Sequence, residues 1–485
     1  MLTTHRLRRV IAALITVLLV AAPLLAGGGR EQPTADATSS SEAAGQTLIR
    51  NTVDELAAPE LAGRLTGSSG NRRAAELLAG KLHAAGLEAL PGSETMLELY
   101  SQPVLRRDAP ARMGVRASDG TATELEPGVD FQILIRHGAT IGGTVETTVV
   151  TAPEDLNAEW ISAQDKHVLL LDAQTFGGVS RDREVMGALF SPDSGPAAVI
   201  LGMPPEADEM ASGVFLTHDE YPAGGPMLVQ TTAEVAEEIR ALPEPEVEIV
   251  AGYRVESAEV ANVVARVPVP GATESGDAGS QATGPPILLT AHFDGQGDAG
   301  EEVYYPGAVD NASGVAAVIE AARLLVEETP STDRNSDGAD APLRRPVWVV
   351  LFNGEEQGLY GSRAFVAAHE SDLDGATVVN IDMVGHSESA AFSVVATDAG
   401  KEPAAAVAEL LKEAGFEADH GAQGRSDHLS FEGVAPAVSV VQAPYPHMHA
   451  PGDVATNVDA ALVQRVAHAV AAYVRQVAGA GGRTM

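Results

Sequence analysis

From residue 258 onward, runs of branched apolar residues alternate with stretches whose apolar positions recur every three or four residues. The first pattern predicts strands and the second amphipathic helices. Strands are expected over "ANVVARVPV" (261–269), "PPILLTAHFD" (285–294), "PVWVVLF" (346–352), "ATVVNIDMV" (376–384) and "PAVSVVQ" (436–442). Helices are expected over "NASGVAAVIEAARLLVEE" (311–328), "GSRAFVAAHE" (361–370), "EPAAAVAELLKEAG" (402–415) and "DAALVQRVAHAVAAYVRQVA" (459–478). Strand–helix alternation of this kind implies an α/β sheet covered on both faces.

The rest of the chain reads differently. "TLIRNTVDELAA" (47–58) and "NRRAAELLAGKLHAAGL" (71–87) have helical spacing, with the turn-rich "PELAGRLTGSSG" between them. Between 96 and 250, short runs such as "VDFQILIR", "TVETTVV", "HVLLLDA" and "AAVILGM" are separated by Gly, Pro and Asp. This predicts a mostly β module with a helix or two. Residues 96–254 therefore read as an insertion into a domain made of 46–95 and 255–480, preceded by a disordered spacer over 27–45. The polar stretches 271–286 and 328–346 read as surface loops. In the second, Asp333, Asn335, Asp337 and Gly338 match the opening of a Ca2+ loop, but Arg344 stands where the bidentate acid belongs, so a plain loop is expected.

Composition narrows the function. With 485 residues the chain exceeds a single simple core, and aromatics at 4% leave Ala, Val and Leu to build it. Its 67 acidic residues against 31 basic ones, a formal charge of -36, exclude nucleic acid as a partner. Arg6, Arg8 and Arg9 precede an apolar stretch over 10–26 and then Gly27–Gly29, the layout of a secretory signal. A retained anchor is the alternative, making 10–26 the one possible membrane tether, so the protein is expected to be secreted, periplasmic or held at the cell envelope. With no cysteine, such an exported protein relies on its core and on metal.

The chemistry-bearing residues fall where predicted strands end. "LLTAHFDG" places His292 and Asp294 there, "PGAVDNASG" places Asp310 before a helix, and "FNGEEQG" places Glu355 and Glu356 together. "VVNIDMVG" adds Asp382, and "PHMHAPGD" adds His447, His449 and Asp453. Each alone has an ordinary explanation: Asp310 could be a helix cap, and the paired glutamates a solvated turn. Five segments together point instead to the crevice beyond the carboxyl ends of a sheet. His, Asp and Glu suit zinc, and two Zn2+ would be balanced by Asp310, Glu356, Asp382 and one hydroxide. Asp294, two residues along an extended strand, can accept the other ring N–H of His292. One of the adjacent glutamates would then bind metal while its neighbour handles protons.

In order along the chain, His-x-Asp (292–294), Gly-Ala-x-Asp-Asn-Ala-Ser-Gly (307–314), Glu-Glu-x-Gly-Leu-x-Gly-Ser (355–362), Asn-Ile-Asp-Met-x-Gly (380–385) and His-x-Pro-x-Asp (449–453) resemble the co-catalytic di-zinc exopeptidases. That family includes bacterial leucyl-type aminopeptidases, glutamate carboxypeptidase and relatives of the transferrin receptor. "LAGRLTGSSGNRRAAELLAGKL" and "SDHLSFEGVAPAV" also look like its segments, and the insertion looks like a protease-associated domain. The resemblance implies a mixed, mainly parallel sheet and two zinc ions. One would be held by His292 and Asp382, the other by Glu356 and His449, with Asp310 bridging and a non-proline cis peptide at Asp310-Asn311. It implies Glu355 as general base and Asp294 as the residue orienting His292, acting through a metal-bridging hydroxide on peptide substrates, most simply as an aminopeptidase.

Two departures stand out. Met448 precedes His449 where many relatives carry an aromatic residue, and His447 competes as a ligand, although "HAPGD" fits the motif and "HMHAP" does not. The stretch from His292 to Asp310 is longer than in compact relatives, and Tyr304 or Tyr305 is expected to shape the pocket there. The alternatives are a carboxypeptidase, a glutaminyl cyclase using one zinc, and a non-catalytic peptide-binding relative.

Overall fold

The computed structural model describes residues 35–479, apart from 137, 165, 208, 217–223, 269–283, 301–302, 328–342 and 390. The signal or anchor expected over 1–26, and the Ca2+-like residues Asp333 to Gly338, lie outside the described residues. Among the described residues no helix is long and apolar enough to cross a membrane.

The chain opens with α1 (Ala35–Leu56) and α2 (Ser69–Ala84). Residues 35–45, expected as spacer, are the first turns of α1; their four Ala and Glu42 favour helix, and Ser is tolerated within it. Ser68 caps α2 by accepting from the Asn71 N–H.

Next come β1 (Leu97–Arg116), β2 (Ala122–Leu125), β3 (Phe131–Arg136), β4 (Gly142–Thr151), α3 (Ala158–Ser162) and β5 (Val168–Asp172). They are followed by α4 (Ala173–Val179), α5 (Arg183–Leu189), β6 (Ala198–Gly202), β7 (Val214–Phe215), β8 (Met227–Thr231), α6 (Ala233–Ala241) and β9 (Glu246–Arg266). This region carries more helix than its turn-rich composition suggested. Asn157, Asp172, Asp182 and Thr232 are the N-caps of α3, α4, α5 and α6.

The remaining elements are β10 (Ile287–His292), β11 (Asp298–Gly300), β12 (Val303–Tyr304), α7 (Gly314–Glu327), β13 (Val347–Phe352), α8 (Tyr360–His369) and β14 (Thr377–Asp382). They end with β15 (Ala391–Ala396), α9 (Lys401–Glu413), β16 (Glu417–His420), β17 (Ala437–Val441) and α10 (Ala460–Gly479). The sequence pattern did not signal β15 and β16, which form one edge of the sheet and leave several residues exposed.

Among the described residues one mixed sheet runs β16-β15-β17-β14-β10-β13-β9-β4-β5-β6-β8-β3-β7. In its α/β part, β10 pairs in parallel with both β13 and β14, and β14 in parallel with β17. The chain thus leaves β10 for one neighbour through α7 and reaches the other after α8. Strand order reverses around β10, which opens a crevice at the carboxyl ends of these three strands. Alternate residues of β10 serve opposite faces: Ile287, Leu289 and Ala291 join the core packed by α1, α2, α7 and α10, while Leu288 joins Phe352, Phe365 and Phe431.

The long antiparallel ribbon of β1 and β9 carries the sheet from this part into the insertion, from Leu97 opposite Val263 to Arg116 opposite Glu246. Beyond it the strands β3 to β8 have apolar clusters of their own, with Val168 and Leu170 on one side of β5 and Leu169 and Leu171 on the other.

Candidate metal centre

His292 is the last residue of β10, Asp382 the last of β14, and Glu355 and Glu356 follow the end of β13. Three neighbouring strands thus aim four candidate residues at one crevice. His292 Nε2 lies 3.3 Å from Asp310 Oδ1 and 3.4 Å from Asp382 Oδ1. His449 Nε2 lies 3.1 Å from Asp310 Oδ2 and 2.9 Å from Glu356 Oε2. Two triads result, His292–Asp310–Asp382 and Asp310–Glu356–His449, each with ligand atoms within 4.8 Å of one another and Asp310 common to both. His447 turns away, its Nδ1 3.3 Å from Glu209.

Each arm is held by named contacts. Gly307, at φ 60°, makes the turn that brings in Asp310; a Cβ there would stand 2.5 Å from the Asp310 carbonyl oxygen. The Asp310-Asn311 peptide is cis. Asp453 accepts from the N–H groups of Val309 (2.8 Å) and Asp310 (3.0 Å) and from the Tyr445 hydroxyl (2.9 Å). Burial pushes the Asp453 carboxyl up to about 6 despite those donors. Asn311 donates to the Ile381 carbonyl and accepts from Met383 N–H, tying the Asp310 loop to the end of β14.

Asp294 holds the glutamate pair as well as facing His292. Its carboxylate accepts from the N–H of Glu355 (3.1 Å), the N–H of Glu356 (3.3 Å) and the Thr66 hydroxyl (3.2 Å). Its Oδ1 is 3.5 Å from His292 Nδ1, a charge contact longer than a formed hydrogen bond. Arg64, fully buried, donates to the carbonyls of Leu56, Phe293, Pro306 and Gly307, locking α1, the end of β10 and the Asp310 loop together. Nothing in the helical spacing around Arg64 marked it for this role.

The donor set fits zinc. The buried atoms His292 Nδ1, Glu356 Oε1 and Asp382 Oδ1 have no hydrogen-bond partner. Among the described residues no Lys or Arg pairs with Asp310, Glu356 or Asp382; their side chains meet the two imidazoles and, at Glu356, the Gln296 amide. Burial opposes charge on His449, yet Glu356 and Asp310 outweigh it and raise its proton affinity. Three carboxylates and two imidazoles converge here, and these N and O donors are of the type zinc takes.

A cavity of about 370 Å3 opens over the two triads. Leu359, Met383 and His449 line it in left-handed backbone conformations, at φ 62°, 56° and 59°. Such conformations in non-glycine residues persist where the surroundings over-determine them. Glu355 faces this space, and burial, together with Glu356, Asp427 and Asp382, raises its carboxyl well above the usual range even against His292. Asp427, behind the site, is pushed up to about 7 by burial and by the charges of Asp294 and Asp382.

Residues 212–216 supply the roof. Ser212 N–H donates to the His449 carbonyl at 2.7 Å, and Leu216 N–H to the Gln357 carbonyl at 3.0 Å. Gln296 bridges the two parts, accepting from Val214 N–H at 3.1 Å and donating to Glu356 Oε2 at 2.7 Å. Sequence reasoning passed over Gln296, because a glutamine between glycines carries no metal-ligand signature. Tyr304 and Tyr305 do not line this cavity. Tyr304 donates to the Ala57 carbonyl and Tyr305 to Gln132 of β3, so both brace the 292–310 stretch from behind.

Residues 269–474 match the model of Peptidase family M28. Over 98 residues, 20% of the chain, the sequence is 35% identical to a "Probable zinc metalloprotease" of Pyrenophora tritici-repentis. Over 114 residues it is 32% identical to the "Uncharacterized protein YfbL" of Escherichia coli. The matched stretches span 18% and 31% of those two proteins. Among solved structures, a zinc aminopeptidase from Bacillus subtilis superposes with a TM-score of 0.62 at 18% identity, covering 90% of this chain and 96% of that one. An aminopeptidase from Aneurinibacillus sp. strain AM-1 gives 0.60 at 21% identity over 91% and 95% of the two chains. A peptidase M28 precursor from Shewanella amazonensis gives 0.63 at 19% over 92% and 97%. At these identities the fold is what is shared: the mixed, mainly parallel α/β sheet with its helices.

Proposed function

We propose that this chain, whose residues 269–474 carry the peptidase family M28 signature, is a zinc-dependent aminopeptidase that removes N-terminal residues from peptides. The observation that carries this reading is the pair of triads sharing Asp310 at the switch point of the sheet. His292 and Asp382 would hold one zinc ion, Glu356 and His449 a second, and Asp310 would bridge them. Bound zinc supplies Lewis acidity, polarising the scissile carbonyl and acidifying a water.

The other steps belong to the chain's own side chains. Glu355 takes a proton from the attacking water and returns it to the departing amine, a role suited to a carboxyl whose proton affinity is raised by burial among other acids. Asp294 is a positioning residue: it faces His292 Nδ1 and fixes the Glu355-Glu356 turn through two N–H groups. Asp453 and Asn311 hold the bridging aspartate. The solved neighbours named as aminopeptidases favour release from the N-terminus.

The test is zinc stoichiometry on the purified protein, paired with cleavage of free-amine and acetylated peptides. Two zinc ions per chain and cleavage of the free-amine forms only are expected. One zinc with pyroglutamyl products, or cleavage from the carboxyl end, would replace the reading with a cyclase or a carboxypeptidase. The proposal extends to the chain's layout: residues 96–254 are an inserted, protease-associated-like domain, and the apolar 10–26 segment directs export. N-terminal sequencing of the exported protein locates any cleavage after that segment.

A further inference from the structure

We infer that a second cavity, beside the roof, binds a free α-amino acid with a branched or aromatic apolar side chain. The site stands apart from the metal centre and does not depend on the peptidase reading. Under that reading its ligand is of the product class.

This cavity, of about 200 Å3, shares only Val214 and Gln296 with the space over the two triads. Ser212 and Val214 of the roof strip border it, while Gly213, Val214 and Phe215 border the metal cavity, so the strip is the partition between the two. The hydrogen bonds from Val214 N–H to Gln296 and from Gln296 to Glu356 cross that partition. A peptide running from one space into the other would have to break them. Arg107, Ala111, Pro127, Asp298 and Ala299 border both this cavity and a wider one of about 840 Å3, which gives a small ligand an entrance of its own.

The walls select the ligand. Leu105, Ala111, Ile133, Ile135 and Val214 are apolar and buried. The polar groups beside them are already spent: Tyr305 donates to Gln132, and Gln132 donates to Gln230 and to the Ala211 carbonyl. A polar side chain would find no partner here, whereas an apolar one gains by leaving water. The volume suits such a group, since an apolar cavity of about 150 Å3 already takes up a benzene ring. Where the two cavities meet, Arg107 pairs with Asp298, and each side chain is 31% exposed. Opposite charges side by side match a zwitterion, the guanidinium taking its α-carboxylate and the aspartate its α-ammonium. In a peptide those two groups belong to different residues and are too far apart to meet both. A free amino acid bound this way lies one hydrogen bond from the metal-site residue Glu356, through Gln296.

Calorimetry on the zinc-loaded protein, and on the same protein after chelation, tests the site with L-leucine, L-phenylalanine, glycine, L-glutamine and L-leucinamide. L-Leucine or L-phenylalanine should bind with and without zinc. Glycine and L-glutamine, lacking the apolar side chain, and L-leucinamide, lacking the carboxylate, should bind about ten- to a hundredfold more weakly. Asp298→Asn, Arg107→Gln and the cavity-filling Ala111→Phe should each weaken the preferred ligand by about tenfold or more, with melting temperature and zinc content showing an intact fold. Binding lost on chelation of a still-folded protein, binding untouched by these changes, or glycine binding as well as leucine overturns the inference. Should chelation or Ala111→Phe unfold the protein, Asp298→Asn and Arg107→Gln in zinc-loaded form decide. A protein that binds leucine in this way yet cleaves no peptide sinks the aminopeptidase reading and leaves the site standing.

Discussion

The floor and the roof of the cavity are built on different terms. The floor residues sit at the ends of adjacent strands and in the Asp310 loop, are buried or nearly so, and are pinned by backbone donors and by the fully buried Arg64. The roof is a short stretch of the insertion, Ser212–Leu216, attached by a few main-chain hydrogen bonds and the Gln296 bridge. The floor has what bond cleavage needs, fixed donors of the right type. The roof bounds the space above those donors and is tied to them at His449 and, through Gln296, at Glu356. In this fold the carboxyl ends of central strands carry the chemistry, and a separate short stretch bounds access to it.

Changes to the floor should cost most. Asp310→Ala removes the ligand common to both triads, and zinc analysis should show metal loss with activity below detection; retained zinc and turnover would detach Asp310 from the site. Glu355→Gln should keep zinc yet lower kcat by about 10^2–10^4-fold, as loss of a general base does. A Glu355→Gln protein turning over at the normal rate would leave the floor without its proton carrier.

The joint between floor and roof ranks next. Gln296→Leu cuts the link between Val214 and Glu356, and a loss of about 10–100-fold in zinc affinity or kcat/KM is expected, the usual size for a residue that orients a ligand. An unchanged value would make the roof independent of the metal centre.

The smallest effect lies far from both. His369 of α8 contacts Glu98 of β1 at 2.8 Å, and that hydrogen bond raises its pKa despite partial burial. The pair's contribution is full below the ordinary histidine value of 6.5 and fades as pH rises through the raised value. Glu98→Gln should therefore destabilise the protein by at most about 1 kcal/mol near pH 6 and by less near pH 9, read from denaturant midpoints. A larger loss at the higher pH would reverse the assignment.

The strands of the α/β part were legible because each is a run of apolar residues bounded by chemistry-bearing ones: "ILLTAH" and "VVNID" announce both a buried strand and the group at its mouth. The helices of the insertion were not, since Asn157, Asp172 and Asp182 look alike whether they cap a helix or end a loop. The motif "HAPGD" favoured His449 over His447, and the fold turns His447 to Glu209 and His449 to Asp310.

What the sequence alone determined is the kind of chemistry available and the class of fold that could gather it. Residue types fix donor hardness and charge, and apolar periodicity fixes which segments become strands. What only the tertiary structure decided is everything that depends on contacts between distant segments. Asp294 gripping the Glu355-Glu356 turn, Arg64 knotting four carbonyls and Gln296 joining roof to floor are all of this sort. A hydrogen bond between residues scores or hundreds of positions apart leaves no period in the chain, because it is set by where the packed core places each backbone and not by what the neighbours in sequence are.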